Sequence, residues 1–271
     1  MGVSPELLRA WEQRYGLLHP GRSPGGFRLY GEEDAERVAR MRRALDQGLS
    51  AAQAARVALE GDQPSQGLIE ASRARLLNAI ESYDEAAVQG ALDDGLAAFG
   101  LEAFVGDLIL PALTEVGRRW EKGDLDISQE HFASNLIRGR LLSLARLWGR
   151  GAGPLALLAC APGEQHDISL LAFGLLLRSH GWRVLFLGAN TPTTTLREAA
   201  LTTAPAVVVL VTFDPDLLKS ESAALRRLQR IAPLFLSGPG ASPELSRELR
   251  LRRLDGDLIA AASEIAQTPN G

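Results

Sequence analysis

The apolar pattern along the chain is interrupted by a polar linker and later changes its spacing, and each event marks a boundary. From residue 5 to 59 they keep a helical period in short stretches. Leu7, Leu8, Trp11 and Tyr15 follow Ser4-Pro5-Glu6, an N-cap with proline at the first helical position, and Gly16 stops that helix. Gly25-Gly26, with Phe27 and Leu29 alternating against Arg28 and Tyr30, predicts a tight hairpin. Glu32-Glu33-Asp34 opens an amphipathic helix carrying Val38, Met41 and Leu45 and ended by Gly48; Ser50 caps another through Leu59. After a polar linker, Gly61 to Gly67, helical spacing resumes in four longer runs, 68–80, 84–99, 101–122 and 127–148. Their breaks are short, at Ser82-Tyr83, Gly100 and Gly123-Asp124, which makes the helices antiparallel neighbours. This predicts an up-down four-helix bundle with Leu76, Leu77, Ile80, Leu136, Leu141 and Leu144 in one core.

Beyond a second linker at 149–154 the pattern becomes short apolar runs alternating with helices. Strands are expected at Leu155 to Cys160, Arg183 to Leu187, Ala206 to Thr212 and Leu234 to Ser237, with helices at 168–180, 194–203, 216–231 and 243–251. That alternation indicates right-handed crossovers in a Rossmann-like doubly wound parallel sheet. The fold class is multidomain, α followed by α/β, divided at 1–62, 67–148 and 154–271.

A length of 271 residues, 46% apolar and 23% charged, accommodates these domains. The formal charge of −4 argues against a broadly basic nucleic-acid coat, yet residues 1–30 hold four arginines against two acids. Cys160, the single cysteine, excludes an intramolecular disulfide and falls in the first strand as a buried apolar residue. No apolar run approaches the roughly 20 residues of a membrane helix, and no signal-peptide core opens the chain, so the expected compartment is the cytoplasm, with no membrane partner. Neither a nucleophile-base constellation nor zinc-ligand spacing is present, so the chain is not read as an enzyme.

The chemistry concentrates in Ala161 to Ser169, Ala-Pro-Gly-Glu-Gln-His-Asp-Ile-Ser, at the carboxyl end of the first strand, where open parallel sheets bind ligands. A neutral His166 imidazole there can ligate a metal while Glu164 takes its other ring proton. His166 is equally read as capping the next helix or bonding the loop. Ala189 to Thr191, Thr212 and Ser237-Gly238 fall on the same sheet edge. His180, before Gly181, reads as a helix C-cap.

Glu164-x-His166-x-x-Ser169, then Leu-Gly-Ala-Asn-Thr-Pro at 187–192 and Leu-Ser-Gly-Pro-Gly at 236–240, resembles the cobalamin-binding module of methionine synthases and base-off mutases. The resemblance implies that His166 is the lower ligand of cobalt in cobalamin. It also implies that Glu164, Ser169, Ala189, Asn190, Thr191, Thr212, Ser237 and Gly238 surround the cofactor and its nucleotide tail. The family's pattern has Asp, Gly and Gly where this chain has Glu164, Ser169 and Ser237.

Arg9-x-Trp11-Glu12-x-Arg14-Tyr15-Gly16, followed by Arg22-x-x-Gly25-Gly26-x-Arg28-x-Tyr30, resembles the winged helix-turn-helix domain of MerR-type regulators. The resemblance implies double-stranded operator DNA as partner, with the first helix in the major groove and Arg9, Arg14, Tyr15, Arg22 and Arg28 as contacts. A structural reading gives Trp11, Tyr15, Phe27 and Tyr30 to the domain's core. The winged domain is partial, because the family has a strand and a helix before the segment matching Val3-Ser4-Pro5. That points to an upstream start or a lost helix, without which Leu8 and Trp11 are expected to expose apolar surface and DNA binding to be poor.

Trp120-Glu121-Lys122-Gly123-Asp124 with Ile127 to Ser134 reads by itself as core tryptophan and a polar pair opening a helix. Beside the His166 loop it resembles the helical cap of the light-sensing CarH/LitR repressor family. By that resemblance Trp120 shields the upper face of adenosylcobalamin, the favoured form, and Glu130 and His131 orient its adenosyl group. Glu121 stands where photochemical members have a histidine that captures cobalt after illumination. The expected function is a cobalamin-dependent, light-responsive repressor acting as a homo-oligomer. The alternatives are a cobalamin-independent MerR-type regulator and a cobalamin carrier for a methyltransferase.

Overall fold

Local caps set the first helix. Ser4 accepts the Leu7 amide at 3.3 Å, Pro5 follows, and Gly16 ends α1 (Pro5–Tyr15) in the left-handed region at φ 61°. The computed structural model describes residues 3–23, 25–46, 48–60, 66–146 and 148–267, in two compact units, Met1–Leu68 and Ile69–Gly271.

In the first unit the predicted hairpin is β1 (Gly21–Arg22) paired antiparallel with β2 (Arg28–Leu29). Helices α2 (Glu32–Asp46) and α3 (Ala51–Glu60) follow. Leu8 and Trp11 are 6% and 4% exposed and pack with Leu17, Leu18, Val38, Met41 and Ala54. This corrects the expectation that they lie open without a preceding helix, because Leu17, Leu18 and the two following helices cover them. Tyr15 and Tyr30 pack against this cluster, but Phe27 is 75% exposed at the hairpin and leaves the expected aromatic core. Asp34 is buried and accepts the amides of His19 and Gly31, tying the hairpin's two ends to α2.

The second unit opens with the bundle: α4 (Gln66–Glu81), α5 (Glu85–Ala103), a π-helical segment at Phe104–Ile109, α6 (Leu110–Lys122) and α7 (Ile127–Leu144). The predicted break at Gly100 exists as a kink at φ 70° and ψ 173°, but the chain stays helical around it and then widens into the π segment. By length and composition Glu85–Lys122 holds a stretch apolar enough to cross a membrane, which corrects the expectation that no run is long enough. Val88, Leu92, Phe104, Val105, Leu108, Ile109 and Val116 from this stretch are buried in the bundle's core.

The sheet runs in the order β4-β3-β5-β6-β7, all parallel, formed by β3 (Leu155–Cys160), β4 (Arg183–Gly188), β5 (Val207–Val211), β6 (Leu234–Ser237) and β7 (Arg252–Arg253). The connections are α8 (Ile168–Ser179), α9 (Thr193–Thr203), α10 (Asp216–Lys219) with α11 (Ser222–Leu228), and α12 (Pro243–Leu249). The single helix predicted at 216–231 is therefore two, and β7 and α13 (Leu258–Ala266) were not anticipated. Period-two alternation buries both faces. Ala156, Leu158, Cys160, Val207, Val209 and Val211 face one side, Leu157, Ala159, Val208 and Leu210 the other. The first of these clusters also contains the bundle's core, so bundle and sheet share one interior. The last helix of the bundle ends at Leu144 rather than 148, freeing Trp148 to pack edge-on against Phe186 at 5.8 Å. A Cβ on Gly174 would meet Trp148 at 2.8 Å, so glycine permits that contact. His180 is the C-cap of α8, as read from the sequence.

Trp11→Ala removes the largest side chain of the first unit's core. We expect a loss of about 3 kcal/mol, read as faster hydrogen exchange at Val38 and Met41 amides; unchanged exchange contradicts that packing.

Candidate functional site

The strand order reverses between β3 and β5: the chain leaves β3 for β4 on one side and returns to β5 on the other. The crevice outside those carboxyl ends is where doubly wound sheets bind ligands. Pro162-Gly163 turns the chain there, and Glu164 points back into the protein with its side chain 3% exposed. A buried carboxylate needs donors. Glu164 Oε1 accepts the His166 amide at 2.9 Å and His166 Nδ1 at 2.6 Å, and Oε2 accepts the Phe213 amide at 2.6 Å. Its carbonyl accepts the Asn190 amide at 2.7 Å, and Asn190 Oδ1 accepts the Gly163 amide at 2.7 Å. One residue thus joins the loops after β3, β4 and β5.

Burial raises the Glu164 pKa, but the amides of His166 and Phe213 and the imidazole outweigh it, holding the carboxyl below the ordinary glutamate value of 4.5. Its stabilising contribution is therefore complete above pH 4.5 and is lost as pH falls through the lowered value. An ionised carboxylate accepts only, so Nδ1 carries the proton, and in the neutral ring Nε2 keeps the lone pair. The His166 side chain is 70% exposed, and among the described residues nothing bonds Nε2. The ring stacks on Phe213 at 4.8 Å and 26°. Cys160 lies behind the loop, buried, its thiol pushed up to about 12 by desolvation and then by Asp167 and Glu164.

The loop after β6 closes the crevice backbone to backbone. Gly240 donates to the Thr212 carbonyl at 3.0 Å, and a Cβ on Gly238 or Gly240 would come within 2.6 Å of Thr212 or Phe213 backbone. Ser169, Ala189 and Ser237 are half-buried and Asn190 is exposed at this edge. Thr191 and Thr212 are buried, their hydroxyls donating to the carbonyls of Gly188 and Asp214, so they support loops rather than offer groups to a ligand. Among the described residues no group of three or more His, Cys, Asp or Glu could hold a free metal ion.

Asp167, beside His166, is also buried and receives a bidentate Arg138 from α7, at 2.9 Å from Nε and 2.8 Å from Nη2. That hydrogen bonding raises the Arg138 pKa. The N-terminus of α7, capped by Asp126 with Gln129, carries Glu130, which accepts Ser134 Oγ and pairs with His131 Nδ1, each at 2.6 Å. Trp120 is 45% exposed near the end of α6, which corrects its reading as a core residue; Glu121 beside it is also exposed. The structure brings Glu130 and His131 together, while the tie from their helix to the His166 loop is Arg138, a pair the sequence reading missed.

In the first unit Arg9, exposed, lies 4.0 Å from Glu6, Arg14 sits 5.7 Å over the Tyr15 ring, and Arg22 is exposed on β1. Arg28 is not left over: its Nε donates to Glu12 at 2.8 Å and clips the hairpin to α1.

Comparison with known proteins agrees with both units. Residues 1–60 match the MerR HTH family of regulatory proteins and residues 72–144 the B12 binding domain family. The chain is 36% identical over 246 residues to the HTH-type transcriptional repressor CarH of Myxococcus xanthus, covering 86% of this chain and 82% of that protein. It is 38% identical over 212 residues to CarA of the same organism, covering 77% and 72%. The monomethylamine corrinoid protein of Methanosarcina barkeri shares the fold, with TM-score 0.59 and 18% identity over 72% of this chain and 96% of that one.

Removing Arg138 strands a buried carboxylate. Arg138→Met is expected to cost about 2 kcal/mol, discounted because the guanidinium is partly exposed, and Asp167→Leu in the same chain to recover part of it. Thermal unfolding of the two single variants and the double variant reads the coupling; additive losses contradict it.

Proposed function

The chain belongs to the family of the HTH-type transcriptional repressors CarH and CarA and joins a MerR HTH region to a B12 binding domain, and from that premise we propose a light-responsive repressor that uses adenosylcobalamin and acts as an oligomer on DNA in the cytoplasm. The observation that carries this reading is the His166 imidazole, held in one tautomer by Glu164 with Nε2 outward.

The residues fit the cofactor. A single nitrogen donor suits a metal whose other ligands belong to the cofactor, and the loop after β6, packed through Gly238 and Gly240 on the backbone of Thr212 and Phe213, bounds the edge beside it. His166 would serve as lower ligand, with Ser169, Ala189, Asn190, Ser237 and Gly238 around the nucleotide tail and Thr191 and Thr212 bracing the loops. Trp120 would cover the upper face, excluding water from it, and Glu130 and His131 would bond the adenosyl ribose. Bound adenosylcobalamin supplies a cobalt–carbon bond that visible light breaks. Glu121 offers a carboxylate where a histidine would capture the metal, so this chain has no second histidine ligand at that position.

In the first unit Arg9, Arg14, Tyr15 and Arg22 would meet DNA from α1 and the hairpin, Arg22 a phosphate. Arg28 positions the hairpin through Glu12 and presents only its remaining donors. Cofactor binding would favour an assembly that places several such heads on one operator, coupling oligomer form to DNA affinity.

The test mixes the purified chain with adenosylcobalamin in the dark, desalts it, and follows absorption, size-exclusion volume and operator binding before and after illumination. A retained corrin spectrum, a larger species in the dark and loss of operator binding in light are expected. His166→Ala should release the corrin on desalting. If the wild-type chain retains no corrin, the cobalamin-independent regulator is the correct reading; a retained corrin with no change in size or DNA binding contradicts the light response. Arg22→Ala should lower the salt dependence of operator binding by about one counterion; an unchanged slope contradicts the phosphate contact.

A further inference from the structure

Phe213 is an apolar residue 37% exposed on the ligand edge, and it touches both members of the Glu164–His166 pair. Its amide donates to Glu164 Oε2 at 2.6 Å, and its ring lies against the imidazole at 4.8 Å between centroids and 26° between planes. The neighbouring Thr212 hydroxyl is not available to Glu164, because it donates to the Asp214 carbonyl at 2.6 Å. Satisfaction of the second carboxylate oxygen therefore falls to the Phe213 backbone. The hydrogen bond to Nδ1 fixes one ring atom of His166 but leaves the plane free to swing about that bond. Contact with an aromatic face removes that freedom, and the Gly240 Cα packed against the Phe213 backbone keeps the aromatic residue in place.

We propose that Phe213 is a positioning residue for the lower ligand: its ring sets the plane of the His166 imidazole and so the direction in which Nε2 is offered, before the cofactor arrives. The inference rests on His166 being the lower ligand. It assigns the ring and the backbone of one residue separate tasks, and a side-chain substitution separates them because the amide remains.

The test compares Phe213→Leu, which keeps apolar bulk without a π face, and Phe213→Tyr, which keeps the face. In the full cofactor-free chain, proton NMR with His166→Ala for assignment is expected to show the His166 ring protons shifted by the aromatic ring current in wild type and Phe213→Tyr, and unshifted in Phe213→Leu. Dark titration with adenosylcobalamin should give Phe213→Leu an affinity about threefold to tenfold weaker, the range an aromatic pair supplies, and Phe213→Tyr near wild type. Unshifted His166 protons in wild type overturn the proposal, as does Phe213→Leu binding as tightly as wild type. A wild-type chain that shows the ring-current shift but binds no adenosylcobalamin overturns the cobalamin reading and this proposal's role with it.

Discussion

A carboxylate removed from water must find donors, and the second unit's ligand edge is arranged around that requirement at Glu164. Its two oxygens take two amides and an imidazole, and its carbonyl takes a third amide from the β4 loop. Removing it would leave those donors unpaired and three loops untied. The same constraint yields the chemistry: an acceptor on Nδ1 leaves Nε2 as the lone-pair nitrogen, on the side that faces outward. Structure and reactivity at this edge are one hydrogen-bond arrangement.

A second buried carboxylate does the corresponding task between layers. Asp167 sits one residue from His166 and is satisfied from the bundle, by Arg138 on α7. The helix that carries Glu130 and His131 near its start thus reaches, two turns on, the loop that carries His166. With the shared apolar cluster beneath, bundle and sheet form a continuous body rather than two tethered domains.

Much of this was legible from residue order because it depends on near neighbours. Ser4-Pro5, Gly16 and His180-Gly181 act within one helical turn, and Glu164 meets His166 two residues away. Strand positions followed from apolar runs buried on both faces. The missed features are of another kind. Arg138 is 29 residues from Asp167 and Phe213 is 49 from Glu164, and nothing in either local pattern announces the pairing. Phe27 alternates as a hairpin core residue should, yet a two-residue ladder has no second layer to receive it. The two-residue β7 is too short to carry a period, and the π segment keeps the apolar spacing of the helices beside it.

We propose that a histidine nitrogen of this chain is the lower ligand of cobalt. Electron paramagnetic resonance of the bound, reduced cobalamin radical tests it directly when the protein's histidines carry the heavy nitrogen isotope. Coordination by His166 predicts that the nitrogen triplet on each cobalt line of the unlabelled protein becomes a doublet on labelling, and that His166→Ala abolishes the change. A triplet that persists in the labelled protein means that the cofactor's own base remains on the metal, and contradicts the account.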